Sequence, residues 1–74
     1  MEEQNALDVQ VGGGHYKYFP IQPFEYAQRN KLPFGEACVV KYVSRHQSKN
    51  GIEDLRKAKH FLELIALVTY GEEL

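Results

Sequence analysis

Tryptophan is missing from the sequence, cysteine and methionine occur once each, and the 74 residues hold only three prolines. A single cysteine, Cys38, cannot close an intramolecular disulfide, which excludes the small secreted scaffolds that rely on several bridges. No apolar run approaches the roughly 18 residues that a transmembrane helix requires, so no membrane partner is expected. No Gly-Lys-Ser or Gly-Lys-Thr occurs, and with it a Walker-type phosphate loop is excluded. His15, Cys38, His46 and His60 have no metal-ligand spacing, and no metal site is expected. The stretch Met1-Glu2-Glu3-Gln4 is acidic and polar where a secretory signal would be basic and then apolar, which points to the cytoplasm. A chain of this length buries only about 60 % of its unfolded surface. That is too little for a multi-lobed enzyme and marginal for a monomer. With disulfides and structural metal set aside, self-association is the remaining way to supplement the core, and a homo-oligomer is expected.

Charge of one sign is scarce only in sum. The formal net charge is −1, yet residues 41–60 carry six cations against two carboxylates, a net of +4. Residues 1–40 come to −2 and residues 61–74, with Glu63, Glu72 and Glu73, to −3. Such segregation makes a local field even when the total is near zero. Either the block is a solvated surface balancing two acidic ends, or it is an anion-binding surface. The domain is not basic overall, so nucleic acid is not an expected partner.

Hydrophobic periodicity predicts an all-α domain of three short helices. Residues 1–14 end in three glycines and read as a flexible lead, leaving 15–74 as a single domain. The stretch from His15 to Pro23 is aromatic and proline-punctuated, an ordered loop in which Pro20 and Pro23 push the residues before them out of the helical region. Pro23 suits the first position of a helix reaching about Asn30, amphipathic through Phe24 and Ala27. Pro33 opens a second helix, over about 34–48, with a buried stripe of Ala37, Cys38, Val40 and Val43 and with Phe34 near its start. Asn50-Gly51 signals a turn, and a third helix follows over about 51–70, stopped by Gly71. The last two form a helical hairpin. In the third helix Leu55, Ala58, Leu62, Ile65 and Thr69 make one stripe, and Phe61, Leu64 and Val68 a second. Its second half is therefore apolar nearly all round, a pattern that demands burial on all sides. Three helices cannot supply that, so Phe61, Leu64, Ile65 and Val68 are assigned to an oligomer interface.

The chemistry concentrates where the hairpin closes. Lys41, Tyr42, Arg45, His46 and Lys49 lie on the second helix and its end, with Asp54 and Lys57 on the third. Arginine can grip phosphate oxygens with paired donors, lysine supplies a movable charge, and a tyrosine ring can stack on a base. Asp54 is out of place in an anion site; it could orient Arg45 or Lys41, favour the helix start, or meet a ribose hydroxyl. The same residues would equally form an ion-pair network between two helices. His15, Tyr16 and Lys17 follow the three glycines, whose backbone could approach a phosphate closely, although the run matches no phosphate-loop pattern. Cys38 falls on the buried stripe, and no catalytic group can be named.

Three pieces of the chain together resemble a known family. They are His15-Tyr16 with Ile21, Phe24 and Tyr26; Lys41-Tyr42-x-x-Arg45 with Lys49; and Asp54-Leu55-x-Lys57-Ala58-x-x-Phe61. The family comprises small phage and prophage proteins of unknown function, and its domain also forms the C-terminal part of a coliphage nucleotide kinase. The resemblance covers about His15 to Leu64. It implies that His15, Tyr16, Lys41, Tyr42, Arg45, Asp54 and Lys57 contact a nucleotide. The chain departs from many members at His46-Gln47, where they carry a glycine. The expected function is a homo-oligomeric nucleotide-binding protein in the host-cell cytoplasm, its ligand including the class of cyclic or immune-signalling nucleotides. Two alternatives stand beside it. One is a nucleoside monophosphate kinase-like phosphotransferase, for which Mg²⁺ would be the cofactor and a site shared across subunits would be needed. The other is an inhibitor or modulator of a host protein.

Overall fold

The computed structural model describes Ala6 and residues 19–74. Apart from Ala6, the predicted lead and the predicted loop before Phe19, including His15, Tyr16 and Lys17, lie outside the described residues. Three α-helices follow one another: α1 (Pro23–Arg29), α2 (Phe34–Arg45) and α3 (Ile52–Tyr70). Among the described residues there is no strand. The family of three helices with an α2–α3 hairpin is the architecture that the periodicity predicts.

Helix α1 has seven residues, fewer than an isolated helix needs to persist in water. Pro23 at its start gives up no hydrogen bond, and Arg29 pairs with Glu25 one turn back at 2.8 Å. Its buried residues are Pro23 and Ala27. Phe24, expected on the buried face, is exposed; Pro23 and Ala27 are the side chains that α1, packed on α2, buries. The helix stops in a Schellman arrangement: Leu32 N–H donates to the Ala27 carbonyl at 3.0 Å and Lys31 N–H to the Gln28 carbonyl at 3.1 Å. Lys31 takes the left-handed position at φ 55°, where glycine is the usual occupant.

Pro33 immediately precedes α2 with an extended backbone, and Glu36 and Arg45 sit at the ends whose dipole charge each one opposes. Ala37, Cys38 and Val40 are half-buried, as a stripe toward the neighbouring helices requires. Val43 and Phe34, expected in the same stripe, are exposed, Phe34 to 78 %. The α-helix gives way after Arg45 to a single 3-10 turn, His46–Ser48, so the predicted helix over 34–48 is α-helical only in its first part. Gly51 closes the loop at φ 56°, ψ −130°, a conformation that side-chain-bearing residues rarely adopt.

Helix α3 runs 19 residues and ends on Gly71 at φ 69°, whose N–H donates to the Leu67 carbonyl at 2.9 Å. The side it turns to α2 carries Asp54, Ala58, Phe61 and Ile65, at steps of four, three and four. The predicted stripe of Leu55, Ala58, Leu62, Ile65 and Thr69 is rotated from this by about 50°, half a residue step; Leu55, Leu62 and Thr69 are exposed. Asp54, paired with Arg45, is the fully buried residue of this side. At the open end of the hairpin Gly35 lets the helices close up: a Cβ there would stand 2.9 Å from Ile65 Cγ1.

Among the described residues the buried apolar side chains are Pro23 and three alanines, Ala27, Ala58 and Ala66. Helix α2 has 12 residues to α3's 19, so α3 is about 10 Å longer. Since Gly35, at the start of α2, lies against Ile65, most of that excess projects past the hairpin. Val68, in the projecting part, is 82 % exposed. No helix among the described residues is long and apolar enough to cross a membrane.

Candidate functional site

The closed end of the hairpin is held by one buried ion pair. Arg45, in the last turn of α2, donates from Nη2 to Asp54 Oδ1 at 3.1 Å, with side-chain exposures of 9 % and 0 %. Asp54 stands in the first turn of α3, and its other oxygen accepts the Asn50 backbone N–H at 3.2 Å. One carboxylate thus ties the end of α2, the loop and the start of α3 together. Burial alone would push the Asp54 carboxyl upward. The hydrogen bonds from Arg45 and Asn50, with the charge of Arg45, outweigh it and hold the group below the ordinary carboxylate range. This is the orienting role for Asp54 that the sequence left open beside two others. Ser48 completes the turn by donating to the Arg45 carbonyl at 3.2 Å.

Above this pair lies a ring with three cations around it. Arg45 Cζ is 4.6 Å from the centroid of Tyr42, Lys41 Nζ 5.1 Å, and Lys57 Nζ 5.4 Å. Each is within the range where a cation is attracted to an aromatic face. Two come from α2 and one crosses from α3. Phe61 lies nearly parallel to Tyr42, 6.0 Å away at 18°, and meets Phe34 edge-on at 6.2 Å and 74°. The aromatic series therefore runs from the cation cluster toward the open end of the hairpin. Lys41 also stands at the rim of a groove of about 460 Å³ between α1 and α2, lined by Pro23, Phe24, Ala27, Phe34 and Cys38 among others.

Of the residues assigned to ligand contact, Lys41, Tyr42, Arg45, Asp54 and Lys57 are thus brought together. Lys49 is in the loop and exposed, His46 is half-buried in the 3-10 turn, and neither joins the ring cluster. The four residues assigned to an interface divide. Phe61 and Ile65 are half-buried against Tyr42 and Gly35 of the same chain, while Leu64 and Val68 are exposed. Sequence reasoning did not place Phe61 in the site. The signal was present, because Phe61 follows Lys57 by four residues and so shares its helix face. The Asn50 N–H had no sequence signal at all. Among the described residues no group of three or more His, Cys, Asp or Glu gathers closely enough to hold a metal ion.

Residues 11–63 match a family of proteins of unknown function, DUF3310. No curated protein and no solved structure matches the chain.

Proposed function

The chain is a member of the DUF3310 family, and on that premise we propose that it is a small homo-oligomeric nucleotide-binding protein of phage type. In this proposal it works in the host-cell cytoplasm and holds its ligand on the cation and ring cluster at the closed end of the hairpin. One observation carries the proposal. Ammonium groups from two different helices, Lys41 and Lys57, come within 5.1 and 5.4 Å of the Tyr42 ring. Asp54, the buried carboxylate beside them, is already engaged by Arg45 and Asn50. A surface with surplus positive charge next to an aromatic face complements a ligand that is both anionic and flat-ringed. Nucleotides, cyclic and immune-signalling ones included, have both properties. The engagement of Asp54 favours holding the ligand over transferring a phosphoryl group, where Mg²⁺ is commonly held by a carboxylate.

Calorimetry of the full chain against a panel of linear and cyclic nucleotides tests the proposal. Saturable binding with the ligand recovered intact is expected, and Lys57→Ala should weaken it by tenfold or more at unchanged helicity. Absence of binding across the panel refutes it. Turnover of labelled ATP with a nucleoside monophosphate acceptor would assign the kinase-like role instead. Silence in both assays, with a host protein retained on the immobilised chain, would assign the modulator role.

A further inference from the structure

Phe34, Cys38 and Lys41 lie on one face of α2, at steps of four and three, and all three line the groove between α1 and α2. Two of them also border the cation cluster. Lys41 Nζ is 5.1 Å from the Tyr42 ring, and Phe34 meets Phe61 edge-on. Groove and cluster therefore adjoin, with Lys41 and Phe34 about 10 Å apart along the helix that they share. The opposite wall is α1, which contributes Phe24 and, one turn on, Gln28. Phe24 is 69 % exposed and Phe34 more so, which puts one largely uncovered ring on each helix beside the groove. Its volume, about 460 Å³, falls within the range of roughly 300–1,000 Å³ usual for small-molecule sites. Tyr42 is differently placed: it is half-buried, with Phe61 parallel to it and three cations about its ring. That surrounding suits it to hold the cations in position, and leaves the groove as the better place for a further flat ring.

We propose that the groove between α1 and α2 takes the base of a nucleotide whose phosphate rests on Lys41 and Lys57. The inference rests on the nucleotide reading above and deepens it, dividing the ligand between two adjoining places. Phe24 and Phe34 offer aromatic faces to a flat ring, which gains by stacking beyond the apolar area it covers. The Gln28 amide both donates and accepts, as the edge of a base requires. Lys41 is the charged residue among those lining the groove, and it stands where groove and cluster meet. It therefore supplies the complement to a phosphate carried at the end of the bound molecule. An aliphatic anion would use Lys41 and the apolar walls, but neither the ring faces nor the amide.

Calorimetry of the full chain with AMP and with ribose 5-phosphate, the same molecule without its base, measures the subsite. AMP should bind tenfold or more tightly. Phe24→Ala, at a largely exposed side chain, should bring AMP to within about threefold of ribose 5-phosphate, with helicity checked by circular dichroism. Lys57→Ala should weaken both. Cys38, the single cysteine of the chain, reads the groove without any substitution. Its alkylation by iodoacetamide should slow fivefold or more under saturating AMP, relative to the rate under saturating ribose 5-phosphate. AMP no tighter than ribose 5-phosphate, an advantage that survives Phe24→Ala, or alkylation indifferent to AMP each overturns the proposal. So does hexyl phosphate bound as tightly as AMP, which would assign the groove to an aliphatic anion. Those outcomes leave the cation cluster standing as a nucleotide site wherever the wider panel still binds, whereas silence across that panel is the failure of the earlier reading.

Discussion

Gly35→Ala offers the sharpest test of how closely α2 and α3 approach. The added methyl would lie 2.9 Å from Ile65 Cγ1 and 3.3 Å from Cδ1, against about 3.5–4.0 Å for comfortable carbon contacts. Forcing a methyl into such a contact costs about 1–3 kcal/mol. Alanine in place of a helical glycine returns roughly 0.5–1 kcal/mol through the unfolded chain. The net loss lies within about 0–2.5 kcal/mol, centred near 1 kcal/mol, out of the roughly 4–11 kcal/mol expected for a domain of this length. At that centre the midpoint of thermal unfolding should fall by about 4–8 °C. Ile65→Ala removes both crowded carbons and, at a half-buried site, costs roughly 2 kcal/mol, the low end of the range for such truncations. In that background Gly35→Ala has room, and it should stabilise by about 0.5–1 kcal/mol. The coupling energy is then roughly 1–3 kcal/mol. Urea unfolding followed at 222 nm measures all four variants, at one protein concentration because self-association shifts apparent stability. Equal effects of Gly35→Ala in both backgrounds would refute the close approach.

Lys31→Gly should raise stability by about 0.5–1 kcal/mol, since the left-handed conformation costs an L-residue about 1–2 kcal/mol and the added freedom of the unfolded glycine takes back part of that; an unchanged urea midpoint would show that Lys31 is unstrained. The Asp54 carboxyl titrates lower in the folded chain than its ordinary value of 3.8. Its contribution is therefore fully present above that value and is lost as pH falls through the folded one. An acid titration followed by circular dichroism should show this loss below about pH 4, and Asp54→Asn should be weaker at neutral pH with the gap to wild type closing in acid. A constant gap from pH 7 to pH 2 would contradict the ionised pair.

The sequence alone determined the helical class, the hairpin and its turn, the glycine stop after α3 and the grouping of cations near the closed end. These are local matters: prolines and glycines fix backbone angles, and three- and four-residue steps define helix faces wherever the helix lies. It also determined the apolar girth of α3's second half, which depends on composition and not on neighbours. Only the tertiary structure decided the rotation of α3, because a covering stripe of leucines and one centred on Asp54 are both consistent with a helical period. In the folded chain the side turned inward carries Asp54, paired with Arg45 nine positions away, and Leu55 and Leu62 lie outside it. It likewise decided that Phe24, Phe34 and Val43 stay exposed, since a side chain is buried only where another element arrives to cover it. And it divided the cation block, placing Lys41 and Lys57 over one ring while leaving Lys49 in the loop, a sorting by distance that no linear spacing encodes.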